Sequence, residues 1–250
     1  MKIQAADLIN KGFWGTLDWI YPPECASCGE PGYRLCADCF KKIKFIKNKY
    51  CLLCGEPMHS EVERCAICQA NPRPYTAMRN LANYTGVIRD CVHALKYENN
   101  QGLGAFFSDV LALLVVEAGW MPDLGMPVPL SGQRLAERGY NQAACIAKPL
   151  TARLGIRYHP FGIARIRDTP SQVGLSGEAR RRNVAGAFRA VSEIVSGKRV
   201  LVVDDVMTTG STMEACAQAL VDAGTQAVYC LTLGRFAQHA GVTHETRHQV

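Results

Sequence analysis

Thirteen residues, VLVVDDVMTTGST at 200–212, combine the side chains that can hold a sugar phosphate. The run from Val200 to Val203 is too apolar to face water on either side, which favours a strand buried on both faces. Asp204 and Asp205 follow at its carboxyl end, the edge at which open α/β sheets bind ligands. Their carboxylates can accept hydrogen bonds from sugar hydroxyls or lie near a metal ion carried by a polyphosphate.

The loop after the two acids is suited to an anion. Its residues are small, and Gly210 can adopt positive φ, so backbone amides can approach a bound oxygen closely. The alanine-rich stretch from Met213 to Ala223 predicts a helix whose positive end points into this loop. Taken alone, the two acids also fit a helix cap in a solvated loop. The predicted contact residues are Val206, Met207, Thr208, Thr209, Gly210, Ser211 and Thr212.

Eight of the twelve cysteines form four CxxC pairs, and each pair supplies half of a tetrahedral thiolate site. The string CASCGEP followed by CADC repeats as CLLCGEP followed by CAIC, at an offset of 26 residues for the first string and 29 for the second. The repeat favours one structural zinc ion per copy, whereas an interleaved arrangement joining the first pair to the third stays open. The expected ligands are Cys25, Cys28, Cys36 and Cys39 for one ion, and Cys51, Cys54, Cys65 and Cys68 for the other.

Composition favours a globular protein of the cytoplasm. The 250 residues, 48% of them hydrophobic, can form one α/β domain and a small satellite. The longest apolar stretch, Val110 to Val116, is far short of the ~20 residues of a spanning helix. The first residues lack the unbroken apolar core of a signal peptide. We therefore expect no membrane span and a reducing compartment, in which the cysteines bind metal rather than form disulfides.

A basic run joins the two cysteine repeats, and the chain as a whole carries a net charge of +6. Lysines alternating with rings can follow a phosphate backbone while the rings stack on the bases of single-stranded DNA. The same pattern fits a solvated lysine face whose rings support a metal module. The residues concerned are Lys41, Lys42, Lys44, Lys47 and Lys49, with Phe40, Phe45 and Tyr50.

The remaining pattern alternates between strands and helices, which predicts a mainly parallel sheet covered on both faces. An amphipathic helix over residues 3–20 precedes the cysteines, and NPRPY after Cys68 marks a linker. Pro149 should kink or end its helix. Strands are predicted over 77–85, 125–129, 158–164, 200–204 and 227–233, and helices over 86–97, 103–118, 133–153 and 213–223. The predicted domains are 1–70, 75–235 and a polar tail, 236–250.

Two more stretches bear on ligand binding. The strand ending in MPVPL is followed by RLAERGYNQA, whose guanidinium and amide groups can grip a diphosphate, although a helix with exposed polar residues explains them as well. The basic stretch 165–183 fits a loop that closes over an anion, or an ordinary surface loop. The diphosphate candidates are Leu130, Arg138, Gly139, Asn141 and Gln142.

In this order, the CxxC pairs, HALKY, PVPL, RGYNQ and VDDVMTTGST resemble the ComF family. The resemblance implies a type I phosphoribosyltransferase-like fold behind an amino-terminal double zinc ribbon. It also implies binding of phosphoribosyl pyrophosphate (PRPP) with Mg²⁺, with the acids on the ribose hydroxyls and the TTGST loop on the 5′-phosphate. Tyr140 stands where the family commonly has phenylalanine.

The ComF resemblance further implies a role in natural competence, the uptake and processing of single-stranded DNA, with a competence helicase or a recombination mediator as a possible partner. An active phosphoribosyltransferase of nucleobase salvage is the alternative, with Asp204 and Asp205 as its catalytic residues. The sequence contains no recognisable acceptor pocket, so the zinc module or residues 77–100 would have to supply one.

Overall fold

The computed structural model describes residues 22–47, 49–58, 62–167 and 183–236. The helix expected over 3–20, most of the basic stretch 165–183 and the tail after Phe236 lie outside these ranges. In chain order the elements are α1 (Ala37–Lys41), α2 (Ala66–Ala70), β1 (Ala77–Asn83), α3 (Val87–Tyr97), α4 (Gly102–Glu117), β2 (Leu124–Pro127), α5 (Gly132–Arg138), α6 (Gln142–Leu154), β3 (Arg157–Tyr158), β4 (Ile163–Arg165), β5 (Phe188–Ala190), α7 (Ser192–Val195), β6 (Arg199–Met207), α8 (Ser211–Asp222) and β7 (Ala227–Arg235).

Five strands form one fully parallel sheet in the order β1-β7-β6-β2-β3. Along the central strand β6, Leu201 and Val203 pack with α3, α4 and α6, whereas Val200 and Val202 pack with α8 on the other face. All four side chains are fully buried, because helices cover both faces of the sheet. The predicted fold class is therefore confirmed.

The single helix predicted over 133–153 is wrong. Gly139 adopts a left-handed conformation with φ of 78° and ends α5, and Asn141 starts α6 by accepting a hydrogen bond from the amide of Ala143. A glycine and an amide cap two residues apart are therefore the stop and start signals of two helices. Pro149 does not end the second helix, which continues to Leu154.

The strand predicted over 158–164 is also wrong, because the chain turns in the middle of it. The amide of Gly162 donates to the carbonyl of His159 within a turn that contains Pro160. Proline lacks an amide donor and interrupts the ladder. The two halves therefore join different sheets: β3 pairs with β2 in the main sheet, and β4 forms an antiparallel pair with β5.

The cysteine-rich segment covers the edge strand β1. The amide of Met78 donates to the carbonyl of Leu53 at 2.7 Å, and the amide of Ile46 donates to the carbonyl of Leu81 at 3.0 Å. These bonds satisfy strand groups that would otherwise be exposed at the edge of the sheet. Among the residues described, no helix is both long and apolar enough to cross a membrane.

Candidate functional site

The two acids lie within the last part of β6, which runs on to Met207. Neighbouring side chains on a strand point to opposite faces. Accordingly, Asp205 faces α3, where it contacts Lys96, and Asp204 lines a small cavity of about 40 Å³ together with Thr208 and Gly210. The acid pair is thus divided between the two sides of the sheet edge.

Lys96 forms the closest contact of the acid pair. Its Nζ lies 2.7 Å from Oδ2 of Asp205, whose side chain is 4% exposed. Burial opposes the charge of Lys96, but the carboxylate of Asp205 outweighs it and raises the pKa of the lysine. The pair places a cation at the carboxyl edge of β6, directly beside the proposed ribose position.

The carboxyl of Asp204 has a different electrostatic state. Its Oδ1 accepts a hydrogen bond from the amide of Asp205 at 2.8 Å. Burial, followed by the charge of Asp205, raises the pKa of Asp204 to about 8 from an ordinary 3.8. At neutral pH this group therefore tends to hold a proton, and it can donate as well as accept a hydrogen bond.

The loop between β6 and α8 has the geometry of a phosphate cradle. Gly210 adopts a φ of 84° and precedes the first residue of α8 without a side-chain cap. The positive φ favours glycine at this position, where an added Cβ would also lie 2.6 Å from Cε of Met207. The hydroxyls of Thr209 and Ser211 lie 2.9 Å apart. The amino end of α8 therefore presents its dipole and amides at the loop.

The diphosphate candidates lie at the same edge, but not all of them are available to a ligand. The side chain of Asn141 donates to the carbonyl of Val128 and caps α6, and Gln142 is buried against Arg138. Leu130 is half-buried in the loop after β2. Arg138 and Gly139 line an open cleft of about 610 Å³. Arg138 thus carries the available charge of this set.

The open cleft begins at Lys96 and has a polar, mainly basic wall. The guanidinium of Arg138 lies 5.3 Å from the ring centre of Tyr97, a side chain that is 68% exposed. The hydroxyl of Tyr140 donates to the carbonyl of Leu95 at 2.6 Å and so fixes α3 against the turn between α5 and α6. The other lining residues are Asn99, Gln101, Arg134 and Glu137.

Lys96 is the functional residue that sequence reasoning missed. It belongs to the HALKY string that supports the family resemblance, near the end of the predicted helix 86–97. Helical periodicity placed it on α3 but carried no information about the strand it faces. Its partner Asp205 could be assigned only once the path of α3 over the sheet edge was known.

The eight paired cysteines lie in two groups of four, in the order that the repeat favours rather than interleaved. Within each group all sulfur atoms lie within 4.8 Å of one another, with Cys28 and Cys36 3.7 Å apart and Cys54 and Cys65 3.8 Å apart. Tetrahedral Zn–S bonds of about 2.3 Å require sulfur separations of about 3.8 Å. The donor set therefore fits two structural zinc ions with no open coordination position.

The basic run has exposed lysines, but its rings are used inside the protein. Phe40 contacts Phe45 and Phe106 edge to face at 5.5 and 6.0 Å, and Tyr50 stacks under the guanidinium of Arg79 at 4.5 Å. These rings support the zinc module, as the second interpretation expected. The lysines remain a charged surface without stacking platforms of their own.

Comparison with known proteins agrees with this architecture. The double zinc ribbon domain matches residues 16–71, and the phosphoribosyl transferase domain matches residues 141–245. The fold and the site thus define a phosphoribosyltransferase-type α/β protein that carries a double zinc ribbon.

The chain is 32% identical to the DNA utilization protein YhgH of Escherichia coli O6:H1, over 84% of this chain and 96% of the relative. It is 31% identical to competence protein F of Haemophilus influenzae, over 80% of this chain and 90% of the relative. It is 26% identical to competence protein ComFC of Bacillus subtilis, over 79% of this chain and 82% of the relative. The chain belongs to the ComF family, which confirms the resemblance. Among solved structures, a glutamine PRPP amidotransferase from B. subtilis overlaps 53% of this chain and 26% of its own, at 22% identity and a TM-score of 0.38.

Proposed function

We propose that this protein binds PRPP at the carboxyl edge of β6, as part of the handling of single-stranded DNA. One observation supports the proposal: at the end of β6, Asp204 adjoins a glycine-centred loop and the amino end of α8, while the next residue, Asp205, pairs with a cation, Lys96. The loop at 208–212 takes the 5′-phosphate. The ribose hydroxyls contact Asp204 and Asp205, whose oxygens can accept their hydrogen bonds.

The diphosphate lies in the basic cleft and carries Mg²⁺ with it. Arg138 and Lys96 supply the positive charge there, and Leu130 and Gly139 contribute backbone near the anion. Asn141 and Gln142 hold this turn in place. Magnesium keeps several waters and binds mainly through phosphate oxygens, so a site with few carboxylates suits it.

Calorimetric titration of PRPP, with and without Mg²⁺, tests the site. Asp205→Asn and Lys96→Met should each weaken binding tenfold or more, about 1.4 kcal/mol or above, because each removes one side of the ion pair at the ribose. Asp222→Asn at the far end of α8 is the matched control and should bind as the wild type does. Wild-type affinity in the Asp205 variant would refute the assignment.

Phosphoribosyl transfer is the second candidate function. Departure of the diphosphate would leave a positive ribose carbon, which the nearby carboxylates would stabilise. The cleft of about 610 Å³ offers room for an acceptor next to Lys96, which belongs to residues 77–100, one of the two regions expected to supply an acceptor pocket. Release of diphosphate from PRPP, followed by mass analysis with a panel of bases, tests it. If PRPP binds but no diphosphate is released with any base, the protein binds PRPP without catalysing transfer.

Single-stranded DNA is the proposed macromolecular partner, and the exposed lysines are the observation that favours it. Because the nearby rings pack inward, we expect phosphate contacts without base preference. Replacing Lys41, Lys42 and Lys44 with alanine should weaken DNA binding and lower its salt slope by about 2, because each contact to a single-strand phosphate contributes about 0.7. Lys148→Ala on α6 is the control. Unchanged binding of the triple variant at every salt concentration would remove the surface from the proposal.

The cellular setting follows from the thiolates. Two four-cysteine sites persist where thiols stay reduced, so we propose the cytoplasm. A competence helicase or a recombination mediator remains the proposed protein partner. In a pull-down from DNA-free extract, retention of the helicase or mediator by variants with the Asp205 and the lysine substitutions would support such docking.

A further inference from the structure

The second zinc site and the phosphate loop are connected through a buried arginine. Arg235, the last residue of β7, is 2% exposed. Its Nε donates to Oε2 of Glu56 at 2.6 Å, and its Nη1 donates to the carbonyl of the zinc ligand Cys54 at 2.9 Å. Glu56 lies two residues after Cys54 in the second ribbon. The Arg235 side chain therefore binds two points of the same turn, one on the backbone and one on a side chain.

The same guanidinium reaches the phosphate loop. Nη1 of Arg235 lies 2.8 Å from Sδ of Met207, and the amide of Phe236 donates to the carbonyl of Met207 at 3.0 Å. Met207 in turn packs under Gly210, where its Cε leaves no room for a Cβ. A continuous series of contacts thus runs from the zinc ligand through Arg235 and Met207 to the turn that cradles the phosphate.

A second connection reaches the other side of the loop. Arg73 lines one small cavity together with the zinc ligands Cys54 and Cys65, and it forms an ion pair with Glu214 in the first turn of α8. Both side chains of the pair are at least 85% buried, and the amide of Glu214 donates to the carbonyl of Gly210 at 2.8 Å. The cavity left between the ribbon and the loop measures only about 10 Å³, so the two parts are closely packed.

We propose that Arg235, supported by Arg73, is a positioning residue that couples the second zinc site to the PRPP site, so that zinc occupancy and PRPP affinity depend on each other. The inference rests on the proposed PRPP function. We expect the first zinc site to be coupled less, because its ribbon contacts Asp90 on α3 through Ser27, and Asn100 in the loop between α3 and α4 through Arg34, rather than the phosphate loop.

The internal repeat supplies a matched control for the coupling. Glu30 is the repeat equivalent of Glu56, and it is exposed to solvent. Glu56→Gln should weaken PRPP binding tenfold or more, whereas Glu30→Gln should leave the dissociation constant unchanged. Near-UV circular dichroism checks that both variants keep their tertiary structure. If Glu56→Gln does not fold, Glu214→Gln breaks the second connection at a less buried position, and a smaller loss of affinity is expected.

Reciprocity gives a test on the wild-type holoprotein. If zinc and PRPP are coupled, PRPP must tighten zinc binding at the second site by the factor by which zinc improves PRPP binding, about fivefold or more. Alkylation with N-ethylmaleimide in the presence of a chelator, resolved by peptide mass spectrometry, follows each site separately. PRPP should protect Cys51, Cys54, Cys65 and Cys68 but not the four cysteines of the first site, and Glu56→Gln should abolish this protection. Equal protection of both sites, or none with PRPP bound, would overturn the inference.

Failure of the PRPP proposal is distinguishable from failure of the coupling. If calorimetry detects no PRPP binding by the wild type, hydrogen exchange of residues 206–210 still reports the connection. Exchange should rise in Glu56→Gln and after removal of zinc from the wild type, and it should stay unchanged in Glu30→Gln. If hydrogen exchange is unchanged in Glu56→Gln and in the zinc-free wild type, as in Glu30→Gln, the coupling is refuted whether or not PRPP binds.

Discussion

The two zinc ribbons are copies of one sequence pattern with different surroundings. Cys28 and Glu30 of the first ribbon are exposed, whereas their equivalents Cys54 and Glu56 are buried. The first ribbon rests on the outer helices α3 and α4, and the second on the edge of β1 and the end of β7. The difference teaches that one metal-binding motif can lie partly exposed on helices in one copy and be buried against the sheet in the other.

The repeat extends this comparison to individual side chains. Gly29 and Gly55 both have positive φ, 79° and 67°, as the knuckle turn requires. An added Cβ meets nothing within 4 Å at Gly29, whereas at Gly55 it would lie 2.5 Å from Nδ2 of Asn80. Both copies therefore have the same backbone turn, but only the turn of the second copy packs closely against β1.

Loss of one ligand should produce the largest difference between the ribbons. Cys28→Ser and Cys54→Ser each remove one zinc ion, because three thiolates bind it far less tightly. Only Cys54→Ser also unseats Arg235 and uncovers β1, which we expect to cost about 3 kcal/mol more. Calorimetry should show a melting temperature lower by roughly 10 °C than in Cys28→Ser. Equal melting temperatures would mean that the two ribbons support the sheet alike.

The paired glycines give the next largest effect. Gly29→Ala should cost about 1 kcal/mol, the strain of alanine at positive φ. Gly55→Ala adds the clash with Asn80 and the carbonyl of Met78, another 2 kcal/mol or so. Urea unfolding measures both. A cost at Gly55 no larger than at Gly29 would show that the second ribbon can move away from β1.

A third pair occupies one repeat position with different residues. Leu53 is 9% exposed and packs in the second core, and Leu53→Ala should cost about 2 kcal/mol. Its equivalent Ser27 donates to Asp90 at 2.8 Å, and Ser27→Ala should cost about 1 kcal/mol. Unfolding free energies from urea titration distinguish them. If Ser27→Ala costs more than Leu53→Ala, the apolar contact of the second ribbon is not the stronger of the two.

The last comparison concerns pH and the carboxyl of Asp204, which lies on the sheet face that the second ribbon shares. The folded protein holds the proton of Asp204 up to a pKa of about 8, whereas the unfolded chain releases it near 3.8. This group therefore contributes stability below pH 4 that is lost as pH rises to 8. Asp204→Asn should reduce the fall in melting temperature between pH 5 and 8, whereas Glu30→Gln should not. Parallel pH profiles for wild type and Asp204→Asn would rule out the raised pKa.

Short-range features were readable from the sequence because neighbouring residues determine them. A strand, a loop and a helix occur around VLVVDDVMTTGST in the predicted order, although β6 continues to Met207 and so includes Val206 and Met207, which were expected in the loop. The repeat indicated which cysteines share an ion. Gly139 and Asn141 also carried a readable signal, but the apolar periodicity across 133–153 obscured it. The domain boundaries between 70 and 75 and at 235 stay a prediction.

Only the tertiary structure decided which distant side chains meet. Lys96 reaches Asp205 because α3 crosses the carboxyl edge of the sheet, and Arg235 reaches Glu56, 179 residues away, because β7 lies between β1 and β6. Local spacing determines a thiolate cluster or a glycine turn, since its atoms are joined by a few bonds. Strand order and helix packing determine a buried ion pair, so two nearly identical ribbons acquired different partners.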